Sequence, residues 1–312
     1  MARVLVTNQV DPSALELITA AGHELEVHDG PHRGEALAAL AADFDAIVVS
    51  LADQVDERVL AAGSTGQLQV IATVSVGTDH IDVEAAQRLG VAVANTPDVL
   101  TTATAELTIA LALTVLRGTS AAEADLRAGR WEGWSLNDHL GRGLRDVVVG
   151  IVGFGRIGQE VGRLAGAFGA QVLHHQRRST GQPGYVDDLL ELCHRVDLLT
   201  LHVPRSPATE GLIGAAELAA LGPSGVLINV ARGGVVDEAA LVDALEAGAL
   251  SGAGLDCFEG EPVASPALLA APNLVLWPHI GSATRSTRAA MARLAVSGAL
   301  AVLAGERPAN LL

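Results

Sequence analysis

Lysine is missing from this chain of 312 residues: all 20 basic residues are arginine, set against 36 aspartates and glutamates, for a formal net charge of -16. So acidic a balance argues against a nucleic-acid or membrane partner, and neither is expected. Aromatic residues make up only 3% of the sequence, so its cores must be built from alanine, valine, leucine and isoleucine. Cysteine is nearly absent as well. Cys193 and Cys257 are far apart, and neither belongs to a Cys-x-x-Cys or Cys–His cluster that could hold zinc, so no metal site and no disulfide framework is expected. A reducing, cytoplasmic location fits this usage. The amino-terminal Met1 to Asn8 reads as a short strand without the long apolar stretch of a signal peptide. Thr108 to Leu116 is strongly apolar but short, which favours a buried helix over a membrane span.

Nearly half the residues, 49%, are hydrophobic, and the length suggests two domains rather than one. From Val4 to Ala94, short apolar strands alternate with helix-like stretches, at Val4 to Thr7, Leu25 to Val27, Ala46 to Ser50, Val70 to Thr73 and Val91 to Ala94. Such alternation predicts an α/β fold with a parallel sheet and helices on both faces. A long Ala/Leu/Thr helix follows Pro97, and the first boundary is placed there. The pattern then repeats at Val147 to Val152, Gln171 to His174, Leu198 to Leu201, Val226 to Asn229, Gly252 to Leu255 and Leu274 to Leu276. Six such strands suit a doubly wound dinucleotide-binding domain. A last helix over Thr284 to Gly305, with Gly305 as its stop, is expected to return to the first domain. Residues 1–97 and 285–312 would then form one domain and residues 98–284 an insertion, with the active site in the cleft between them.

The most informative segment runs from Val147 to Gly169, where an apolar strand passes through Gly153, Gly155 and Gly158 into a helix. Gly153 permits a tight turn, Gly155 lets backbone approach a pyrophosphate, and Gly158 allows helix and strand to pack closely. The helix N-terminus supplies free amides and a positive dipole end for the anion. The acidic residue that normally ends the second strand and binds the adenine ribose is replaced by Gln176, eighteen residues after Gly158. Arg177, Arg178 and Ser179 follow, offering charge and hydrogen bonds where the extra phosphate of NADP would lie. The expected cofactor is NADP(H), with NAD(H) possible.

Three further segments each follow a predicted strand: Asn229 to Asp237, Gly254 to Pro262, and Trp277 to Thr284. Open α/β sheets bind ligands at the carboxyl ends of their strands. These segments supply Arg232 as an anion grip, Glu261 as a carboxylate and His279 as a titratable acid. Singly, each has a structural explanation; together with a cofactor domain they meet the needs of carbonyl reduction.

Over essentially its whole length the chain resembles the D-isomer-specific 2-hydroxyacid dehydrogenase family. The resemblance rests on Val152-Gly-Phe-Gly-Arg-Ile-Gly158, Leu201-His-Val-Pro204 with Thr209, Asn229-Val-Ala-Arg-Gly233, Leu255 to Pro262 and Pro278-His-Ile-Gly-Ser-Ala283. Within the family it is most similar to glyoxylate and hydroxypyruvate reductases. Ser75 to Asp82, Pro97 to Leu100 with Thr104 to Leu107, the Gln-Arg-Arg segment and Gly281 to Arg288 carry that narrower match. The resemblance implies a flavodoxin-like substrate domain and an inserted Rossmann dinucleotide-binding domain. It also implies a catalytic triad of Arg232, Glu261 and His279, and a substrate carboxylate held by backbone amides near Val76 and Gly77 together with Arg232 and His279. Cofactor contacts are implied at Thr104, Gly153, Gly155, Arg156, Ile157, Gly158, Gln176, Arg177, Arg178, Val203, Pro204, Thr209, Val230, Ala231, Arg232, Asp256, His279 and Gly281.

The chemistry that follows is hydride transfer to the carbonyl carbon of a 2-oxo acid, with His279 protonating the oxygen. A carboxylate beside an imidazole orients it and favours its charged form, which is the expected task of Glu261. Arg232 would clamp the substrate carboxylate and polarise the carbonyl. Trp131 and Trp134 lie in a loop-like stretch that in similar proteins forms an arm across a homodimer, so a homodimer is expected. The alternatives are a dehydrogenase of another 2-hydroxy acid or of phosphite on the same scaffold, and a non-catalytic, cofactor-sensing scaffold of the corepressor type.

Overall fold

The computed structural model describes residues 1–179 and 181–312. Two compact units emerge, one of Met1–Leu100 with Ser282–Leu312 and one of Thr101–Gly281. In chain order the first unit contains β1 (Arg3–Val6), α1 (Pro12–Ala20), β2 (Glu24–Val27), α2 (Glu35–Ala41), β3 (Ala46–Val49), α3 (Glu57–Thr65), β4 (Val70–Thr73), α4 (Val83–Leu89) and β5 (Ala92–Ala94). The second contains α5 (Thr101–Arg117), α6 (Thr119–Arg127), β6 (Val148–Val152), α7 (Arg156–Ala167), β7 (Gln171–His175), α8 (Leu189–Arg195), β8 (Leu198–Leu201), α9 (Ala215–Leu221), β9 (Val226–Asn229), α10 (Glu238–Glu246), β10 (Gly252–Leu255), α11 (Pro266–Ala270) and β11 (Leu274–Leu276). Helix α12 (Arg285–Leu303) closes the first unit.

In the first unit five parallel strands run in the order β2-β1-β3-β4-β5. Alternate residues feed opposite faces, as a strand period of two requires. Leu5, Ile47, Val49, Ile71 and Val93 pack beneath α2, α3 and α4, whereas Val4, Val6, Val48, Ala72 and Ala94 meet α1 and α12. Apolar side chains on both faces are the signature of a parallel sheet covered on both sides. Alanine gives α12 its close fit: Ala292, Ala295 and Ala299 lie in the core with Val296. The helix is capped at its start by the Thr284 side chain, which accepts from the Thr287 amide. At its end the Gly305 amide donates to Val302 O and the Glu306 amide to Ala301 O, with Gly305 at φ 77°. That paired-bond ending needs a left-handed residue, which is why glycine stops the helix.

The second unit has six named parallel strands in the order β11-β10-β9-β8-β6-β7. Beyond β7 a further parallel bridge joins His174 to Tyr185. Its hydrogen bonds run from the His174 amide to Gly184 O and from the Val186 amide to His174 O, both 2.8 Å. With that bridge counted third, the order becomes 3-2-1-4-5-6-7, the usual dinucleotide-binding order with one strand added at its far edge. The six expected strands are all present, and the added bridge is too brief to carry an apolar pattern. Chain reversal occurs between β6 and β8, and the glycine turn after β6 lies at that switch point. The apolar segment at 108–116 is core: Thr108, Ile109, Leu111, Ala112 and Leu116 of α5 are buried. No single helix among the described residues is long and apolar enough to cross a membrane.

The chain leaves the first unit after Leu100 and re-enters it at Ser282, against boundaries expected after residues 97 and 284. The difference at the first crossing is a turn: Asp98 has φ 70° and the Val99 amide donates to Pro97 O, so α5 starts at Thr101.

Candidate active site

At the end of β6, Gly153 has φ 90°, and a Cβ built there would lie 2.6 Å from the carbonyl oxygen of His202. The turn after β6 is therefore pressed against the segment after β8. Gly158 is equally crowded: its Cβ would stand 2.2 Å from Gly153 O, so α7 packs directly on its own leading turn. Gly155 differs, because a Cβ there would meet no protein atom within 4 Å. It is also the N-cap of α7, and no side-chain oxygen caps this helix. A helix start without a side-chain cap and with its positive dipole end, opening onto space that a side chain would fill, fits the pyrophosphate of a dinucleotide. Arg156 and Ile157 occupy that first turn.

Past β7, Gln176 turns its amide back on the loop, donating to Arg178 O at 2.9 Å, and Arg177 and Arg178 are exposed. After β8, the Thr209 hydroxyl donates to Pro204 O at 2.7 Å and accepts from the Ser206 amide at 2.9 Å. It braces the loop that carries Val203 and Pro204. His202 bonds Thr200 Oγ1 through Nε2 at 3.0 Å, and burial pushes its pKa down to about 3, so it stays neutral.

Around the ends of β9, β10 and β11 the loops interlock. Asn229, buried at the end of an otherwise apolar strand, accepts the Ala231 amide at 3.0 Å and donates to Arg232 O at 2.9 Å. Val230 and Ala231 are buried beside it, while Arg232 is half-buried and donates from Nη1 to Ala231 O at 2.8 Å. A Cβ on Gly233 would collide with Phe258 O at 2.2 Å, which sets the Arg232 turn against the segment after β10.

That segment carries Asp256 and Glu261. The Asp256 carboxylate, only 1% exposed, accepts the Ile280 and Gly281 amides at 2.8 Å each, and its backbone oxygen accepts the His279 amide at 2.9 Å. His279 is held with φ 53°, a left-handed backbone uncommon for a residue with a side chain. Its Nδ1 lies 2.7 Å from Glu261 Oε2, while Glu261 Oε1 accepts the Phe258 amide at 3.0 Å. Both side chains are about a third exposed, so the pair faces outward from a rigid base. Gly281 brings two further expected residues together: its Cβ would lie 3.2 Å from Asp256 Oδ2 and 3.7 Å from Thr104 Oγ1.

In the first unit, the loop after β4 is tied down by side chains. Ser75 Oγ donates to Gly77 O at 2.6 Å, and Asn95 Nδ2 donates to Val76 O at 2.9 Å. Thr73 Oγ1 links Ser75 Oγ and His80 Nε2, and Asn310 holds Asn95 through its carbonyl. Both loop carbonyls are thus engaged, whereas the amides of Val76 and Gly77 meet no acceptor among the described residues. Consecutive open amides form a concavity suited to an anion.

Sequence reasoning missed the braces Asn229, Asp256 (foreseen only as a cofactor contact), Thr73, Ser75 and Asn95. The signal available was a polar residue closing or following an apolar strand, as Asn229 does in Val226–Asn229. It also missed that Cys257 lies with Glu261 and His279, their ligand atoms all within 4.8 Å of one another.

A dinucleotide turn at the switch point of one parallel sheet, with a histidine–carboxylate pair and an arginine on its strand ends, defines an NAD(P)-dependent oxidoreductase. Residues 109–281 match the model of the D-isomer specific 2-hydroxyacid dehydrogenase NAD-binding domain. The chain belongs to the D-isomer specific 2-hydroxyacid dehydrogenase family. It is 39% identical to a glyoxylate reductase of Thermococcus litoralis, an alignment covering 99% of this chain and 96% of that one. Among solved structures, a protein of Thermus thermophilus matches with TM-score 0.94 and 42% identity over 99% of both chains. An NADPH-dependent glyoxylate/hydroxypyruvate reductase of Sinorhizobium meliloti, solved with NADP and malonate, matches with TM-score 0.87 and 38% identity over 99% of this chain and 96% of that one.

The crowded and the open glycine give opposite expectations. Gly158→Ala should cost about 1–3 kcal/mol, the usual scale of overpacking, and lower the thermal midpoint. Gly155→Ala should leave that midpoint unchanged while raising the Kd for coenzyme, measured by fluorescence titration. Equal thermal midpoints for the two variants would contradict this packing.

Proposed function

We propose that this protein is an NADPH-preferring reductase of small 2-oxo acids, glyoxylate and hydroxypyruvate among them, that forms D-2-hydroxy acids with His279 as general acid. The observation that carries the reading is the 2.7 Å contact between His279 Nδ1 and Glu261 Oε2 on a braced turn. The relatives that act on glyoxylate, and a neighbour that takes NADPH, support the substrate class and the cofactor.

The bound coenzyme supplies the hydride. The turn at Gly153, Gly155 and Gly158 with Arg156 and Ile157 would hold its pyrophosphate, and Gln176, Arg177 and Arg178 its adenosine end. The segments Val203–Pro204 with Thr209, Val230–Arg232, and Asp256 with Thr104, His279 and Gly281 would flank the rest. Glu261 keeps its hydrogen bond on Nδ1, which leaves Nε2 of His279 to deliver a proton to the developing alkoxide. Arg232 grips the substrate carboxylate and offsets charge on the carbonyl oxygen. The open amides of Val76 and Gly77 are assigned to a substrate carboxylate oxygen.

Following NADPH oxidation with glyoxylate, hydroxypyruvate, pyruvate and bulkier 2-oxo acids tests the substrate class; activity with none of them would remove it. His279→Ala should lower kcat by roughly two to four powers of ten. Arg232→Ala should mainly raise KM, and Glu261→Gln should move the pH profile for reduction toward acid. Wild-type turnover in the His279 variant would falsify the acid assignment.

The Gln176-Arg177-Arg178 sequence supports NADPH over NADH. Replacing Arg177 and Arg178 together by serine should erase the preference in kcat/KM, mostly through KM for NADPH, because two phosphate-pairing groups are lost. A wild-type enzyme that favours NADH would overturn the preference.

The homodimer rests on the segment after α6, where Trp131, Trp134, Leu136 and Leu140 are 51–80% exposed. Apolar groups on that scale mark an interaction surface. Light scattering should give twice the chain mass, and Trp134→Ser should weaken the association. A monomeric wild-type protein would refute it.

A further inference from the structure

The two cysteines have opposite surroundings. Cys193 is buried in α8, where burial pushes its thiol up to about 12 and leaves it inert. Cys257 is also buried, but it follows β10 in the same turn as Glu261 and faces the outward pair: its sulfur, a Glu261 carboxylate oxygen and a ring nitrogen of His279 lie within 4.8 Å of one another. We propose that Cys257, Glu261 and His279 form a three-ligand site for Zn2+, and that the metal inhibits the enzyme reversibly by taking Nδ1 of the imidazole and so breaking the Glu261 hydrogen bond that orients the ring.

Sulfur, nitrogen and oxygen together suit a borderline-soft ion that accepts mixed ligands in tetrahedral geometry. In such a site neighbouring donors stand roughly 3.3–3.6 Å apart, from metal–ligand lengths of about 2.0–2.3 Å. The His279–Glu261 distance of 2.7 Å is shorter than that and all three donors lie within 4.8 Å of one another, so side-chain movement of about an ångström brings them to ligand spacing. The backbone needs no change. Cys257 and Glu261 are carried by one turn, and His279 is anchored to it through Asp256. Glu261 Oε1 and the Phe258 amide supply the outer hydrogen bond that orients a ligating carboxylate. Binding releases the thiol proton and the proton shared by imidazole and carboxylate to solvent, and three protein ligands leave a fourth position for water. Since Glu261 and His279 are a third exposed, the ion has a solvent-facing route to the buried sulfur.

The inhibitory consequence rests on the role assigned above to His279; the metal site itself does not, and the two are read separately. Co2+, which takes the same ligand set and reports thiolate by a near-ultraviolet charge-transfer band, is titrated into the protein, and Zn2+ is then used to displace it. The wild type should show the band at one ion per chain and lose NADPH-linked turnover as Zn2+ is added, with recovery on chelation. Cys257→Val, which replaces the thiol by an apolar group outside the catalytic set, should keep metal-free turnover, lose the band and need at least the roughly 10- to 100-fold more Zn2+ that loss of even an outer partner costs. His279→Gln, read by Zn2+ displacement of Co2+ alone, should bind more weakly by a similar factor. Absence of the band in the wild type, or equal Zn2+ sensitivity in Cys257→Val, would overturn the site. A wild-type band with turnover untouched by Zn2+ would uphold the site and overturn the inhibition.

Discussion

The geometry of the candidate site depends on one buried carboxylate. Asp256 stands at the end of β10 and receives three successive amides from the end of β11: His279 on its backbone oxygen, Ile280 and Gly281 on its side chain. Burial lifts its carboxyl above the usual range, and those amide bonds, with the nearby His279, work against that rise. A carboxylate so enclosed would be costly without such donors. With them, it locks two strand ends together. The left-handed backbone of His279, a conformation costing of order 1–3 kcal/mol, persists because the neighbouring bonds over-determine it. Glu261, on the turn that begins at Asp256, then meets the imidazole without either side chain having to search for the other.

Much of this was legible in the sequence because parallel strands covered on both faces are written as short continuous apolar runs. Val70 to Thr73, Leu198 to Leu201, Val226 to Asn229, Gly252 to Leu255 and Leu274 to Leu276 fall where those runs predict. The glycine turn was legible for a related reason: three glycines at fixed spacing between strand and helix have few other uses. What escaped were features with no pattern along the chain. Tyr185 pairs with His174 by a single bridge, too short for any periodicity, although it completes the sheet. Asp256 looks, in sequence, like one acid among many, and only the fold aims it at the residues after β11. Cys257 is similar. A rule that searches for cysteine and histidine close in sequence cannot find a pair separated by a crossover and brought together by adjacent strands.

Burial also sorts the titratable groups by use. His202 is driven to about 3 and stays neutral, and His174 is lowered by burial against Phe154 and Tyr185, stacking on the former at 3.8 Å. Cys193 is pushed up to about 12. These groups behave as core. His279 and Glu261 keep about a third of their surface, enough for exchange with solvent, while their hydrogen bond to each other remains short.

Glycine decides where a ligand can lie. At the carboxyl ends of the second sheet, Gly153, Gly158 and Gly233 all occupy positions where a Cβ would strike backbone oxygen at 2.2–2.6 Å. Each therefore lets two chain segments approach until the space between them is gone. An ordinary reading of a glycine-rich strand edge would make every glycine a ligand contact. Three of these close protein against protein, whereas Gly155 faces open space at the start of a helix without a side-chain cap. The crowded glycines close chain against chain at these strand ends, whereas the start of α7 keeps an opening beside the switch point.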